Sequence, residues 1–217
     1  MDEINYTLLA DGSSDERLIP ILEWLFDKHC PDKSVKGEMA DFSKLPKKPK
    51  KLEDRIETAL DMRSCDILFI HRDAEKIQHK ERVLEIRKVI EKIPVKPSEV
   101  VCVVPVRMTE AWLLIDGAAI RKAADNPNGD IVLKLPKPKE LETIPDPKEV
   151  LSQLLIQASG CTGGRKLDKF KEDISEKAFK VAENIEDYSQ LRSLSAFQSL
   201  EEELKEVLGK MNCREVD

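Results

Sequence analysis

A chain of 217 residues with 41% hydrophobic content can bury a real core, as one large domain or as one domain with a helical extension. Its 36 basic and 42 acidic side chains give a net charge of −6, so bulk charge offers no general attraction for nucleic acid, and only a metal or a local basic patch could hold a phosphate. No apolar stretch approaches the roughly 20 residues of a membrane span, and Met1–Asn5 has neither a basic segment nor an apolar run, so no signal peptide is expected and a cytoplasmic protein is.

Tyr6-Thr-Leu-Leu-Ala10 predicts a strand over roughly 4–10, followed by a turn at Gly12. Ser13 or Ser14 can cap a helix opening with Asp15 and Glu16, where acids suit the positive helix end. Leu18, Ile21, Leu22, Leu25 and Phe26 continue it at helical spacing, and His29-Cys-Pro31 ends it. A weak strand is expected near 35–42. Lys44-Leu-Pro-Lys-Lys-Pro-Lys-Lys51 then puts five lysines and two prolines into eight residues, an exposed loop that reads either as a solvated linker or as a binding patch. Leu52, Ile56, Ala59 and Leu60 predict an amphipathic helix feeding a strand at 66–71. A charged helix at about 77–92, with Val83, Ile86, Val89 and Ile90 on one face, leads to a strand at 99–105. This alternation predicts an α/β fold of three layers, a mainly parallel central sheet with helices on both faces.

Residues 108–124 read as one or two helices, closed by the turn residues Asp125-Asn-Pro-Asn-Gly129. The four prolines of 130–147 indicate an ordered, extended crossing. Helices are expected at 148–158, about 173–184 and 196–209, with the glycine-rich basic loop Ser159–Lys166 between the first two. The division is thus an α/β domain at 1–125 and a Pro-rich crossing with a helical extension packed on it at 126–217. Cys30, Cys65, Cys102, Cys161 and Cys213 contain no CxxC, which excludes a zinc ribbon or redox motif and fits reduced thiols.

Three of the predicted strands end in carboxylates. The runs lead into Asp11-Gly-Ser-Ser-Asp15-Glu16, His71-Arg-Asp73-Ala-Glu75 and Pro105-Val-Arg-Met-Thr-Glu110. Parallel strands gather these ends on one sheet edge, where open α/β sheets place their ligand sites. Like charges brought together repel unless a cation joins them, so Asp11, Asp15, Asp73, Glu75 and Glu110 are candidate oxygen ligands for Mg²⁺ or Mn²⁺. Glu110, set among Met108, Ala111 and Trp112, needs a cation or a hydrogen-bonding partner. His71 suits a ligand or a proton carrier; Arg72 and Arg107 read equally as salt-bridge partners of the acids or as phosphate clamps. Gly163-Gly-Arg-Lys166 lacks P-loop spacing, yet Arg165 and Lys166 could touch a phosphate backbone. His29 and His79 read as surface residues, and Trp112 as core.

The order of these motifs resembles the Toprim superfamily, the metal-binding domain of topoisomerases, primases and OLD-type nucleases. Asp11-Gly12 stands where that family has Glu-Gly, Asp15 where the OLD-type version has its second acid, and His71-Arg-Asp73 where it has Asp-x-Asp. Asp73 and Glu75 form an alternative register for that acidic pair. Thr109-Glu-Ala-Trp-Leu-Leu-Ile115 is similar to a segment of small stand-alone Toprim-like proteins, which often accompany ATPases in bacterial defence loci. The resemblance covers about residues 4–125. It implies metal-dependent phosphodiester cleavage of DNA or RNA, with Asp11, His71, Asp73 and Glu110 catalytic and an ATPase as partner. Two other readings stay open: a catalytically degenerate binding or regulatory subunit, and a metal-dependent small-molecule phosphohydrolase. A homodimer is compatible with so small a sheet, although no residue requires one.

Overall fold

The computed structural model describes residues 3–213. Its centre is a four-stranded, all-parallel sheet of β1 (Glu3–Leu9), β2 (Ser34–Met39), β3 (Ile67–His71) and β4 (Glu99–Val103), in the order β2-β1-β3-β4. Both faces of the inner strands are buried, which is why they read as unbroken apolar runs. Tyr6, Leu8, Ile67, Phe69, Val101 and Val103 face one core, while Leu68, Ile70, Val100 and Cys102 face the other. The second, smaller core is closed by α2 (Leu52–Met62) and α3 (His79–Lys92) through Ile56, Ala59 and Ile86. The larger one lies under α1 (Ile19–His29), α4 (Gly117–Ala123), α5 (Pro147–Ser159), α7 (Ile174–Asn184) and α8 (Ser195–Lys210). The expected three-layer α/β architecture with a helical C-terminal portion is therefore present. One apolar core runs from Ile4 to Leu208, so residues beyond 125 share it with the sheet.

The two sheet edges are managed differently. β2 is half exposed and carries alternating polar residues. Beside it, Tyr6 lies across Gly37: a Cβ there would come within 1.9 Å of the Tyr6 ring. Tyr6 is held in turn by stacking on Phe26 (5.4 Å) and an edge contact with Phe69 (5.2 Å), so the ring has nowhere to retreat. Gly37→Ala is expected to cost about 2 kcal/mol by overpacking, read as a lower urea midpoint at unchanged slope. On the β4 edge, α8 takes over: Glu203 accepts the free Cys102 N–H at 3.0 Å, and Lys210 pairs with Glu99 at 2.8 Å.

Several expectations are corrected. Ser13 and Ser14 do not cap α1; a 3-10 turn at Ser13–Leu18 comes first, and the Asp15 carboxylate instead accepts the Gly12 N–H at 2.9 Å. An additional helix, α6 (Gly164–Glu172), follows Gly160, whose positive φ of 69° ends α5. Its sequence is polar apart from Leu167 and Phe170, and only Phe170 is buried, too thin an apolar stripe to mark a helix in advance. His29 is buried, 2.7 Å from Glu201 of α8, because α8 closes over the end of α1. The five cysteines are not all reduced: Cys30 and Cys213 form a disulfide, while Cys65, Cys102 and Cys161 are free. The turn after α8 returns to the end of α1, a pairing 183 residues apart that no local spacing announces. No helix among the described residues is long and apolar enough to cross a membrane.

Candidate functional site

β1 sits between β2 and β3, so the connections leaving the sheet diverge at its carboxyl end. α1 covers one face and α2 the other, which opens a crevice between the ends of β1 and β3. His71, the last residue of β3, fills the floor of this crevice and is 2% exposed. Its Nδ1 lies 3.0 Å from the carbonyl of Val103, which can only accept, so Nδ1 carries the proton. In the neutral ring, Nε2 then presents a lone pair to its surroundings. Asp73 Oδ1 is 3.6 Å away, Asp15 Oδ2 3.8 Å, and the Thr109 hydroxyl, a donor to this nitrogen, 3.4 Å.

Asp73 is the least satisfied group in the crevice. Its Oδ1 is buried and accepts no hydrogen bond. Burial pushes its carboxyl from 3.8 up to about 6, helped by the charges of Asp15 and Glu110; the His71 ring and the Thr109 N–H pull the other way. Glu110 is held differently: Arg17, 3% exposed, donates to it at 2.8 Å from the 3-10 turn after β1. The partner that its apolar setting demands is thus an arginine of the chain. Arg17 also donates to Ser14 O, which ties the turn carrying Asp15 to the Glu110 segment.

Asp11 points elsewhere. Half exposed, it takes Arg55 of α2 at 2.6 Å and Arg72 at 3.5 Å. Arg55 also donates to Ala10 O. Arg72 continues to Glu85 at 2.7 Å, which Arg82 shares at 2.6 Å while donating to Asp73 O at 3.1 Å. This ionic frame fixes the loop after β3 from outside.

That loop and the one after β4 clasp each other. Arg72 N–H donates to Val103 O at 3.2 Å, Ala74 N–H to Pro105 O at 3.0 Å, and Glu75 N–H to Arg107 O at 3.3 Å. Arg107 Nη1 returns a bond to Glu75 O at 3.3 Å. Glu75 (φ 53°) and Arg107 (φ 70°) both sit in the left-handed region, an uncommon conformation for side-chain-bearing residues that gathers at functional edges. The Glu75 side chain is exposed and forms no hydrogen bond or ion pair with Asp15, His71 or Asp73 among the described residues. Arg165 and Lys166 are exposed on α6, which packs on α5 and α7 rather than on the crevice.

The crevice therefore assembles Asp15, His71, Asp73 and Glu110, with Asp11 and Arg72 at its rim. Arg17, Thr109, Arg55 and Arg82 join it without having been singled out individually. Thr109 could have been found from the Thr109–Ile115 segment; Arg17 carried a signal only as a charge one residue before the apolar helix stripe begins at Leu18. The donor set fits a hard divalent cation in kind, two carboxylates and an imidazole whose other nitrogen is fixed by a carbonyl. The donors of Asp15, His71 and Asp73 are not all within 4.8 Å of one another; among the described residues only Cys30, Asp32 and Cys213 are, and both sulfurs there form the disulfide. A groove of about 700 Å³ opens instead between α3 and α8, lined by His79, Val83, Leu84 and Gln198, and holds none of the crevice acids. Comparison with protein-family models, with curated proteins and with solved structures finds no match for the chain.

Proposed function

We propose that this protein is a Toprim-like hydrolase that cleaves phosphodiester bonds of nucleic acid with Mg²⁺ or Mn²⁺ held by Asp73, His71 and Asp15. The observation that carries this reading is the buried Oδ1 of Asp73, which accepts no hydrogen bond and lies 3.6 Å from His71 Nε2. A carboxylate oxygen kept out of water without a donor is costly, and a cation is the partner that would offset it. With Nδ1 of His71 committed to Val103 O, Nε2 is the nitrogen left to meet a cation. When bound, the metal supplies Lewis-acid polarisation of a phosphoryl oxygen and an acidified water. Glu110, locked by Arg17, adds negative charge behind the ligands, and the Thr109 hydroxyl, 3.4 Å from Nε2, would yield that lone pair to the cation. Arg107, on the clasped loops, is the cation available to a phosphate, whereas Arg72 is already paired with Glu85 and Asp11.

A second reading has its own support. Asp11 and Glu110 are already neutralised by internal arginines, as befits a degenerate binding subunit. A calorimetric Mn²⁺ titration paired with a cleavage assay on labelled DNA and RNA strands separates the two. Wild type is expected to bind Mn²⁺ and to cleave, and Asp73→Ala and His71→Ala to lose at least tenfold in Mn²⁺ affinity and all cleavage. A wild type that neither binds Mn²⁺ nor cleaves would favour the subunit.

A further inference from the structure

The connection from β2 to α2 leaves the sheet at the same carboxyl edge as the crevice, since Leu8 of β1 and Met39 of β2 are register partners. It contains Lys44, Lys47, Lys48, Lys50 and Lys51, and all five are exposed. None forms an ion pair within 4.0 Å among the described residues. The one acid at the foot of the loop, Asp41, is exposed and accepts the N–H and hydroxyl of Ser43 at 2.8 Å each; those bonds, with the charges of Lys44 and Lys48, hold its carboxyl below the usual range, and one carboxylate leaves the five lysines in excess. Glu53 and Asp54 lie in the first turn of α2, where the helix N-terminus takes their charge. Pro46 and Pro49 restrict the backbone between the lysines.

The loop is also fastened to the crevice. Phe42 at its start lies under the Arg55 guanidinium at 5.7 Å, and Arg55 bonds Asp11, which meets Arg72 next to Asp73. A chain with net charge −6 would repel a polyanion over most of its surface. Five unpaired lysines on the crevice edge mark the place where that repulsion reverses.

We propose that the Lys44–Lys51 loop is the docking element for the phosphate backbone of a nucleic acid strand, presenting it to the crevice of Asp73 and His71. The proposal rests on the phosphodiesterase reading for its destination, but docking is measurable without catalysis. The probe is a fluorescein-labelled 20-nucleotide DNA strand, followed by fluorescence anisotropy in EDTA over a range of salt concentrations. Wild type, Asp73→Ala and the fourfold variant Lys47→Ala/Lys48→Ala/Lys50→Ala/Lys51→Ala are compared; all four lysines are on the surface, so the fold is untouched. Loss of four phosphate contacts should flatten the slope of log K against log salt by about 3 and weaken binding about tenfold or more near physiological salt. Asp73→Ala, which removes an acid from the crevice that faces the strand, should bind no more weakly than wild type, and a loss of binding there would count against docking by the lysines alone. An unchanged slope in the lysine variant, or no binding by wild type, would overturn the proposal. Lysine-dependent binding without any cleavage by wild type would uphold docking and sink only the catalytic reading.

Discussion

Asp73→Asn is expected to make the metal-free protein more stable at pH 7.5, by about 3 kcal/mol. Asp73 is pushed from 3.8 to about 6 because folding removes its carboxyl from water beside two other acids. Between those values the folded state holds a proton that the unfolded chain releases. Its stabilising contribution is therefore complete below about pH 4 and lost as the pH rises through 6, leaving a strained anion at neutral pH. Asparagine removes the charge, keeps the shape, and can donate to His71 Nε2. Urea denaturation at pH 7.5 and pH 4 measures the difference, which should shrink towards zero at the lower pH. A destabilised variant at pH 7.5 would mean that ionised Asp73 is well satisfied, removing the main support for a cation there. Millimolar Mn²⁺ should narrow the gap by stabilising only the wild type, through mass action on the folded state.

Arg17→Met is expected to be the most damaging single change, costing about 4 kcal/mol. The Arg17 and Glu110 side chains are 4% and 11% exposed, so removing the guanidinium strands a nearly buried carboxylate without its counter-ion. Arg17→Met/Glu110→Gln should recover most of the loss, since neither side chain then carries a buried charge. Denaturant midpoints of both singles and the double form the cycle, and a double mutant as unstable as Arg17→Met would show that the pair is not coupled. The exchange also bears on activity: Arg17 binds Ser14 O, so its loss should loosen the turn that presents Asp15.

The sheet was legible because its inner strands obey a simple constraint, apolar side chains on both faces, and the carboxylates at their ends follow from the parallel direction. Asp73 and His71 could be placed on a common edge in this way. Pairings between distant segments had no such rule. Arg17 and Glu110 are 93 residues apart, and an arginine at the head of an amphipathic helix looks like any solvated charge. Asp11 turned out to face Arg55, 44 residues on, because α2 packs its first turns against the end of β1, a matter of tertiary geometry alone. His29 was misplaced for the same reason: its neighbour Glu201 comes from the last helix. α6 escaped notice because a helix with one buried side chain carries almost no periodic signal.

The bond between Cys30 and Cys213 gives the molecule a property that its packing alone would not. From the end of α1 to the turn after α8, the backbone is a closed covalent ring that includes β2, β3, β4 and every later helix. A single protease cut in the exposed lysine loop would open this ring without releasing a fragment. The two pieces would travel as one species until a reductant parted them, and the last helix, though it ends the fold, has no free end from which to unravel.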